Sequence, residues 1–314
     1  MKAVSCLLLA VLLVCVPLAA QEPPPPPPGA GALAGDPLQM ALQVDRLLNE
    51  GKYAEARTIC QQVYDTATDS YLRAVALRAI GETYKEADES DRALATYQRL
   101  LAEFPQSDQV PWALAGMIEA YYVKAGTTNQ PAPNLQQAIA AGRRFLKDYP
   151  RHERASYILL YLGRCYRKLG DDLAALAEFQ RAVTDFPGQK FAEGCLQEVI
   201  GLQQKLGRWE EAIASARRYL ELFPGRHSAS AQMAIAFAYV GKGNLEQAAA
   251  EFARVPAQYP AQADLCAWAL YQKASCEQSM GQAAAARATL EQLVRDHPGH
   301  SLAQRAQAQL AAAG

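Results

Sequence analysis

Side chains capable of chemistry are present in this chain but do not converge. The four histidines, His152, His227, His297 and His300, each stand close to a proline. Imidazoles on successive turns along one edge would be needed for a shared metal site, and no cysteine or carboxylate cluster accompanies them. They read as solvated turn residues, and no metal ligand set is assigned. Past the opening segment five cysteines remain, Cys60, Cys165, Cys195, Cys266 and Cys276, with no CxxC among them. Cys266 and Cys276 lie on one predicted helix with about 15 Å of rise between them, too far for a disulfide. The thiols read as buried and free, Cys165 and Cys276 as small core residues at equivalent places. No phosphate-cradling loop, dinucleotide-binding glycine motif, GxSxG or HExxH occurs. No nucleophile stands with a base, so no catalytic residue and no cofactor is expected, and the function is read as non-enzymatic.

The composition describes what must position the remaining candidates. Half of the 314 residues are hydrophobic, 20% are charged and the formal net charge is −1. A chain that neutralises nucleic-acid phosphates needs a positive excess, so no nucleic-acid partner is expected. Alanine is abundant and β-branched residues are sparse, which favours helix throughout.

The first 35 residues are of a different kind. Met1-Lys2, the apolar run Ala3 to Val16 and the small residues to Ala20 have the layout of a secretory signal. The run is shorter than the roughly 20 apolar residues of a bilayer span. Cleavage after Ala20 is expected, with an uncleaved anchor as the alternative and the only membrane contact. Cys15 follows the bulky Val14, so no lipid-bearing cysteine is read. Residues 21–35 form a linker with six prolines, Pro23 to Pro28, an extended polyproline rod serving as a spacer or a docking motif.

Periodicity organises the rest. An aromatic residue or histidine precedes proline at Phe104-Pro105, Tyr149-Pro150, Phe186-Pro187, Phe223-Pro224, Tyr259-Pro260 and His297-Pro298, with prolines 45, 37, 37, 36 and 38 residues apart. Gly170, Gly207, Gly243 and Gly281 each precede a proline by 17 residues, and five residues after each stands an alanine. Gly51 with Ala56, then Ala93 and Ala138, continue the series. Glycine ends a helix in the left-handed conformation, alanine lets two helices approach, and proline stops the second helix. About seven helix–turn–helix units follow, roughly 37–69, 70–108, 109–153, 154–190, 191–227, 228–263 and 264–300, with a capping helix at 301–313. A segment at 125–134 is read as an insertion between the helices of the third unit.

Leu162-Gly163, Tyr166, Gly170, Ala175, Phe179, Ala182 and Pro187 together resemble the tetratricopeptide (TPR) pattern. Gly81, Tyr84, Ala93, Tyr97 and Pro105, and then Ala236, Tyr239, Ala248, Phe252 and Pro260, repeat it. The resemblance covers about residues 37 to 312 and implies an all-α solenoid over 36–314. Units of this length ending in Phe/Tyr-Pro are similar to those of exported envelope TPR proteins, either the TolA-binding, Tol-Pal-associated type or the outer-membrane assembly lipoprotein type. The periplasm or envelope is therefore the expected location.

In that family the first helix of each unit lines a concave groove that binds protein or peptide. Carried over by offset from each glycine, the resemblance implies a groove of Trp112, Tyr122, Tyr157, Arg164, Arg167, Lys168, Met233, Phe237, Trp268 and Tyr271. Aromatic residues and arginine dominate interface energies, so the expected mechanism is aromatic anchoring with cationic selection by Arg164, Arg167 and Lys168. A peptide-end clamp would need a repeated Lys/Asn pattern that the first helices lack. The expected function is an adaptor in envelope or division organisation. Outer-membrane protein assembly and a polysaccharide- or peptidoglycan-binding module are the alternatives, and the oligomeric state is left open.

Overall fold

The computed structural model describes residues 37–312 apart from residue 226, so the readings of leader and proline linker lie outside the described residues. Among the described residues there are helices and no strands. The chain divides by compactness into a first unit ending at Asp171 and a second beginning at Asp172.

The first unit contains α1 (Pro37–Asn49), α2 (Tyr53–Thr66), α3 (Ser70–Glu86), α4 (Ser90–Glu103), α5 (Val110–Gly126), α6 (Pro131–Asp148) and α7 (Ala155–Leu169). The second contains α8 (Asp172–Asp185), α9 (Ala192–Lys205), α10 (Trp209–Leu222), α11 (Ser228–Gly241), α12 (Leu245–Gln258), α13 (Ala263–Ser279), α14 (Ala283–Asp296) and the cap α15 (Ser301–Ala312). Within each unit a helix packs chiefly on the next along the chain. The first helices of successive hairpins also touch, α3 with α5 and α5 with α7, then α9 with α11 and α11 with α13. This is the all-α helical-repeat architecture that the periodicity implies. None of the described helices is long and apolar enough to cross a membrane.

The turns follow from local chemistry. Gly51, Gly170, Gly207, Gly243 and Gly281 have φ between 70° and 83°. The residue after each donates its N–H back to the carbonyl five positions earlier, as in Asp171 to Tyr166 at 3.0 Å and Arg208 to Gln203 at 2.8 Å. That bond satisfies a carbonyl the helix end would otherwise leave open. The second hairpin makes the same turn with Asp88 at φ 59°, a conformation that costs a side-chain-bearing residue about 1 kcal/mol.

Packing explains the alanines. Ala56, Ala93, Ala138, Ala175, Ala212, Ala248 and Ala286 are all 1% exposed or less. Beyond them Tyr97, Phe145, Phe179 and Phe252 are fully buried, each worth about 1.5–3 kcal/mol in apolar burial. Tyr97 is keyed between two glycines. A Cβ on Gly116 would lie 2.5 Å from its Cζ, and one on Gly81 would clash with its Cε1, Cδ1 and Cζ.

Two expectations are corrected. The segment 125–134 is mostly helix rather than an inserted loop, because Ala125 and Gly126 complete α5 and Pro131 opens α6, leaving residues 127–130 between them. The extra length makes these helices 17 and 18 residues long, and the fixed φ of proline suits a helix's first turn. His152 is not a solvated turn residue. Its ring stands edge-on to Trp112 and Phe145, with centroids 5.4 Å away in each case, and its Nδ1 accepts the Arg154 N–H at 3.1 Å. Burial lowers its pKa below the usual imidazole value.

Candidate functional site

The face of the first helices differs between the two units. In the first unit α3, α5 and α7 present a joined polar network. Lys85 on α3 bonds Glu82 of its own helix at 2.7 Å and Glu119 of α5 at 3.0 Å. Tyr97 donates its hydroxyl to the other Glu82 oxygen at 2.9 Å. Tyr157 of α7 closes the far side by donating to Glu119 and sharing a hydrogen bond with Tyr161. Burial pushes the Glu82 carboxyl up, but Lys85, with help from Arg78 and the Tyr97 hydroxyl, overrides it and holds the group below the usual carboxylate range. Burial likewise opposes the charge on Lys85, and Glu82 with Glu119 raises it above the ordinary lysine value. Burial, then Glu119, raises the Tyr157 phenol. The shifts of Glu82, Lys85 and Tyr157 therefore all run away from neutrality.

Beside this network two cations rest on rings. Arg164 Cζ lies 5.6 Å from the Tyr161 centroid, and Lys168 Nζ lies 4.1 Å from that of Tyr122. Tyr122 and Tyr161 meet edge to face at 5.4 Å, and Tyr161 contacts Tyr157 at 4.8 Å. The rings hold the cations by cation–π attraction while leaving their donors to other groups. Trp112 is covered by Arg154, whose Cζ is 4.5 Å from its ring, and by His152. Tyr157 is 8% exposed and serves the network rather than the surface. Arg167 is exposed.

In the second unit α11 carries no charged residue along its whole length. Phe237 of α11 packs on Trp268 of α13, ring centroids 5.3 Å apart, and Trp268 keeps 43% of its surface exposed. Met233, expected on the surface, is 4% exposed and packs inward with Phe252, Val255 and Cys266. Tyr271 is engaged by the cap, with Arg305 Cζ 5.7 Å from its ring and Gln309 Nε2 donating to its hydroxyl at 3.1 Å. Of the ten expected groove residues, Arg164, Lys168 and Tyr122 thus stand together in one unit, and Phe237 with Trp268 in the other.

The offset rule also reaches residues that the sequence reading left out. Glu82 and Lys85 stand six and three positions before Asp88, as Arg164 and Arg167 stand before Gly170. Gly201 and Gln204 hold the same places before Gly207. Five free cysteines are buried, and burial pushes Cys60 and Cys165 up to about 12. Among the described residues no three His, Cys, Asp or Glu side chains are grouped to hold a metal ion.

Helix pairs joined by left-handed turns, closed on small alanines and facing one another through their first helices, define a tetratricopeptide-repeat protein. Family models of that repeat match residues 204–267 and 268–300. The model of the YfiO family, described as outer membrane lipoprotein, matches residues 36–222, more than half of the chain. The chain belongs to that family. No curated protein matches it. Among solved structures it resembles the C-terminal part of a TPR repeat-containing protein from Cytophaga hutchinsonii, at 12% identity and a TM-score of 0.64, covering 84% of this chain and 98% of that one. A STAND signal-transduction ATPase with a tetratricopeptide repeat sensor, from Pyrococcus horikoshii, matches at 14% identity and a TM-score of 0.54, covering 87% of this chain and 43% of its own. At these identities the likeness concerns the fold alone.

Proposed function

We propose that this chain is a non-enzymatic scaffold of the bacterial cell envelope whose first-helix faces hold a partner polypeptide. The observation that carries the reading is the match of residues 36–222 to an outer membrane lipoprotein family. It favours a role in outer-membrane protein assembly over the division and envelope-organisation role read from sequence. In the first unit the partner would present carboxylates to Arg164 and Lys168, which lie on Tyr161 and Tyr122. Such a pair selects by complementary charge and anchors by ring contact.

The test is a crosslinking pull-down from the envelope fraction with the full chain and with Arg164→Glu/Lys168→Glu. Loss of a specific set of proteins in the double variant supports the reading, and outer-membrane proteins or their assembly factors in that set assign the pathway. An unchanged set sinks the role of this face. Localisation is checked by mass spectrometry of the exported form. A mature chain starting at Gln21 agrees with cleavage after Ala20, whereas a lipid on Cys15 overturns it.

A further inference from the structure

In the second unit a shallow trough, a hollow of about 340 Å³, opens between α9 and α11. Its polar rim is Gln197, Gln204, His227 and Ser230, and its floor includes the buried Ile200 and Ala231. None of the residues lining it carries a carboxylate, an amine or a guanidinium. Gly201 widens it, since a Cβ there would meet nothing within 4 Å. Both glutamines are locked by their amide nitrogens. Gln197 Nε2 donates to the Tyr219 hydroxyl at 3.1 Å, and that hydroxyl donates on to Glu193 at 2.6 Å. Gln204 Nε2 donates to the Ala234 carbonyl at 2.8 Å. Among the described residues neither Oε1 has a donor, so each amide is fixed with its acceptor unused.

An aromatic platform stands next to the trough. Ser230 and Trp268 each lie thirteen residues before a turn glycine, Gly243 and Gly281, on α11 and α13, which touch. The indole is therefore level with the rim, one helix further on. Phe237 supports it from α11, ring centroids 5.3 Å apart, and 43% of the residue stays exposed. One turn earlier on α13, Asp264 has a side chain 98% exposed, with His300 Nε2 3.9 Å from its carboxylate.

We infer that the second unit binds an uncharged oligosaccharide, with one sugar ring in the trough and a neighbouring ring laid on Trp268. A pyranose carries hydroxyls around its edge and C–H groups on its faces. Each hydroxyl both donates and accepts, so it gives to a glutamine Oε1 and takes from Ser230 or from His227, whose neutral imidazole has one donor and one acceptor nitrogen. The C–H face covers Ile200 and Ala231, and the missing side chain of Gly201 leaves it room. The indole offers the second ring a broad apolar face, and the Asp264 carboxylate beside it accepts hydroxyl protons. Amides that are already locked lose little freedom on binding, which favours a ligand held by hydrogen bonds alone. A peptide N–H only donates and a peptide C=O only accepts, so a polypeptide matches this mixed rim less well. An anionic ligand would lose hydration in the trough without meeting a counter-charge. This ligand is separate from the polypeptide proposed for the first unit.

The experiment is calorimetric titration of the full chain with tetramers of N-acetylglucosamine and of glucose. Tetragalacturonate is the anionic control, and a neutral peptide blocked at both ends is the polypeptide control. At least one neutral tetramer is expected to bind about tenfold or more tightly than either control, the equivalent of about 1.4 kcal/mol. Gly201→Leu, whose branches fill the trough, and Trp268→Ala are each expected to weaken that binding about tenfold. Gln197→Ala, on the exposed rim, gives the same reading should Gly201→Leu fail to fold. Arg164→Glu in the first unit is expected to leave sugar binding unchanged. Tryptophan fluorescence supplies a second readout. Trp112 is covered by Arg154 and His152, and Trp209 packs on Gly241, so the sugar-dependent change is expected to vanish in Trp268→Ala. Failure of both neutral tetramers to bind, equal binding of either control, or affinity indifferent to the trough variants overturns the inference. The envelope pull-down with the first-unit variant reads the scaffold proposal independently of all these outcomes.

Discussion

The first helices of the two units occupy the same places in the repeat but use them differently. Six residues before the turn, the first unit has Glu82 in a network with Lys85 and Tyr97, and Arg164 on a tyrosine ring. At the same offset the second unit has Gly201, open above its Cα, and Phe237 against Trp268. One face is closed by hydrogen bonds and ion pairs between its own helices, with cations at its margin. The other has at its centre a helix without charge, α11, and leaves a hollow and an exposed indole. The repeat geometry specifies where a side chain stands, and the residue placed there decides whether the position stabilises the fold or stays available to a partner.

The closed face of the first unit depends most heavily on Lys85. Lys85→Met leaves Glu82 and Glu119 facing each other without their cation. Loss of one partner of a fully buried pair costs 3–5 kcal/mol, and with these side chains 14–28% exposed the expected loss is about 2–3 kcal/mol. Urea unfolding followed by circular dichroism measures it. The pH dependence has a defined sign. The Glu82 pKa is lowered in the folded chain, so its contribution is complete above the unfolded carboxylate value of about 4.3 and fades as pH falls through the folded value. The Lys85 pKa is raised, so its contribution is complete below about 10.4 and fades as pH rises through the folded value. The difference between wild type and Lys85→Met is therefore expected to be flat from about pH 5 to 10 and to shrink in acid. A difference that grows in acid would contradict the network.

Glycine substitution is expected to have opposite signs in the two units. Gly81→Ala drives a methyl into the Tyr97 ring, and overpacking of this kind costs about 2 kcal/mol. Gly201→Ala meets open space inside a helix and is expected to stabilise by about 0.5–1 kcal/mol. Thermal melts of both variants read the contrast directly, and equal signs would show that the trough is not open. Trp268→Ala, on a ring 43% exposed, is expected to change stability by less than about 1 kcal/mol. The smallest effect is expected from thiol reagents at pH 8. Burial places Cys60 and Cys165 at about 12 and raises Cys266 and Cys276. These four thiols should therefore react negligibly in the folded chain and fully in the urea-unfolded one.

The repeat was legible because its markers are local. Gly170, Ala175 and Pro187 answer to a left-handed turn, a close helix contact and a helix stop, and each requirement is met within a few residues of sequence. The site was only half legible. Glu82, Lys85 and Glu119 look in sequence like the solvated stripe of an amphipathic helix, and only the approach of α5 and α7 shows that they meet. Met233 has the offset of a groove residue, but an offset gives a direction around the helix and not the closeness of the next helix, which here buries the side chain. Gly201 is harder still, since a glycine in a helix reads as a weakness in the helix and gives no sign of the hollow it lines. At 125–134, prolines that suggest a loop proved to be helix openers.

The turn bond bears on how such chains change over time. In six of the seven hairpins the first helix closes through a bond spanning five residues, written within a short window and independent of what lies further along. Nothing in that closure counts repeats. A helix pair can be duplicated or deleted between two such turns without rewriting its neighbours' instructions, as expected of a structure held by nearest-neighbour contacts. The length of strand that a face can hold is then a quantity that recombination adjusts one hairpin at a time, by about 8–10 Å, the spacing of packed helices.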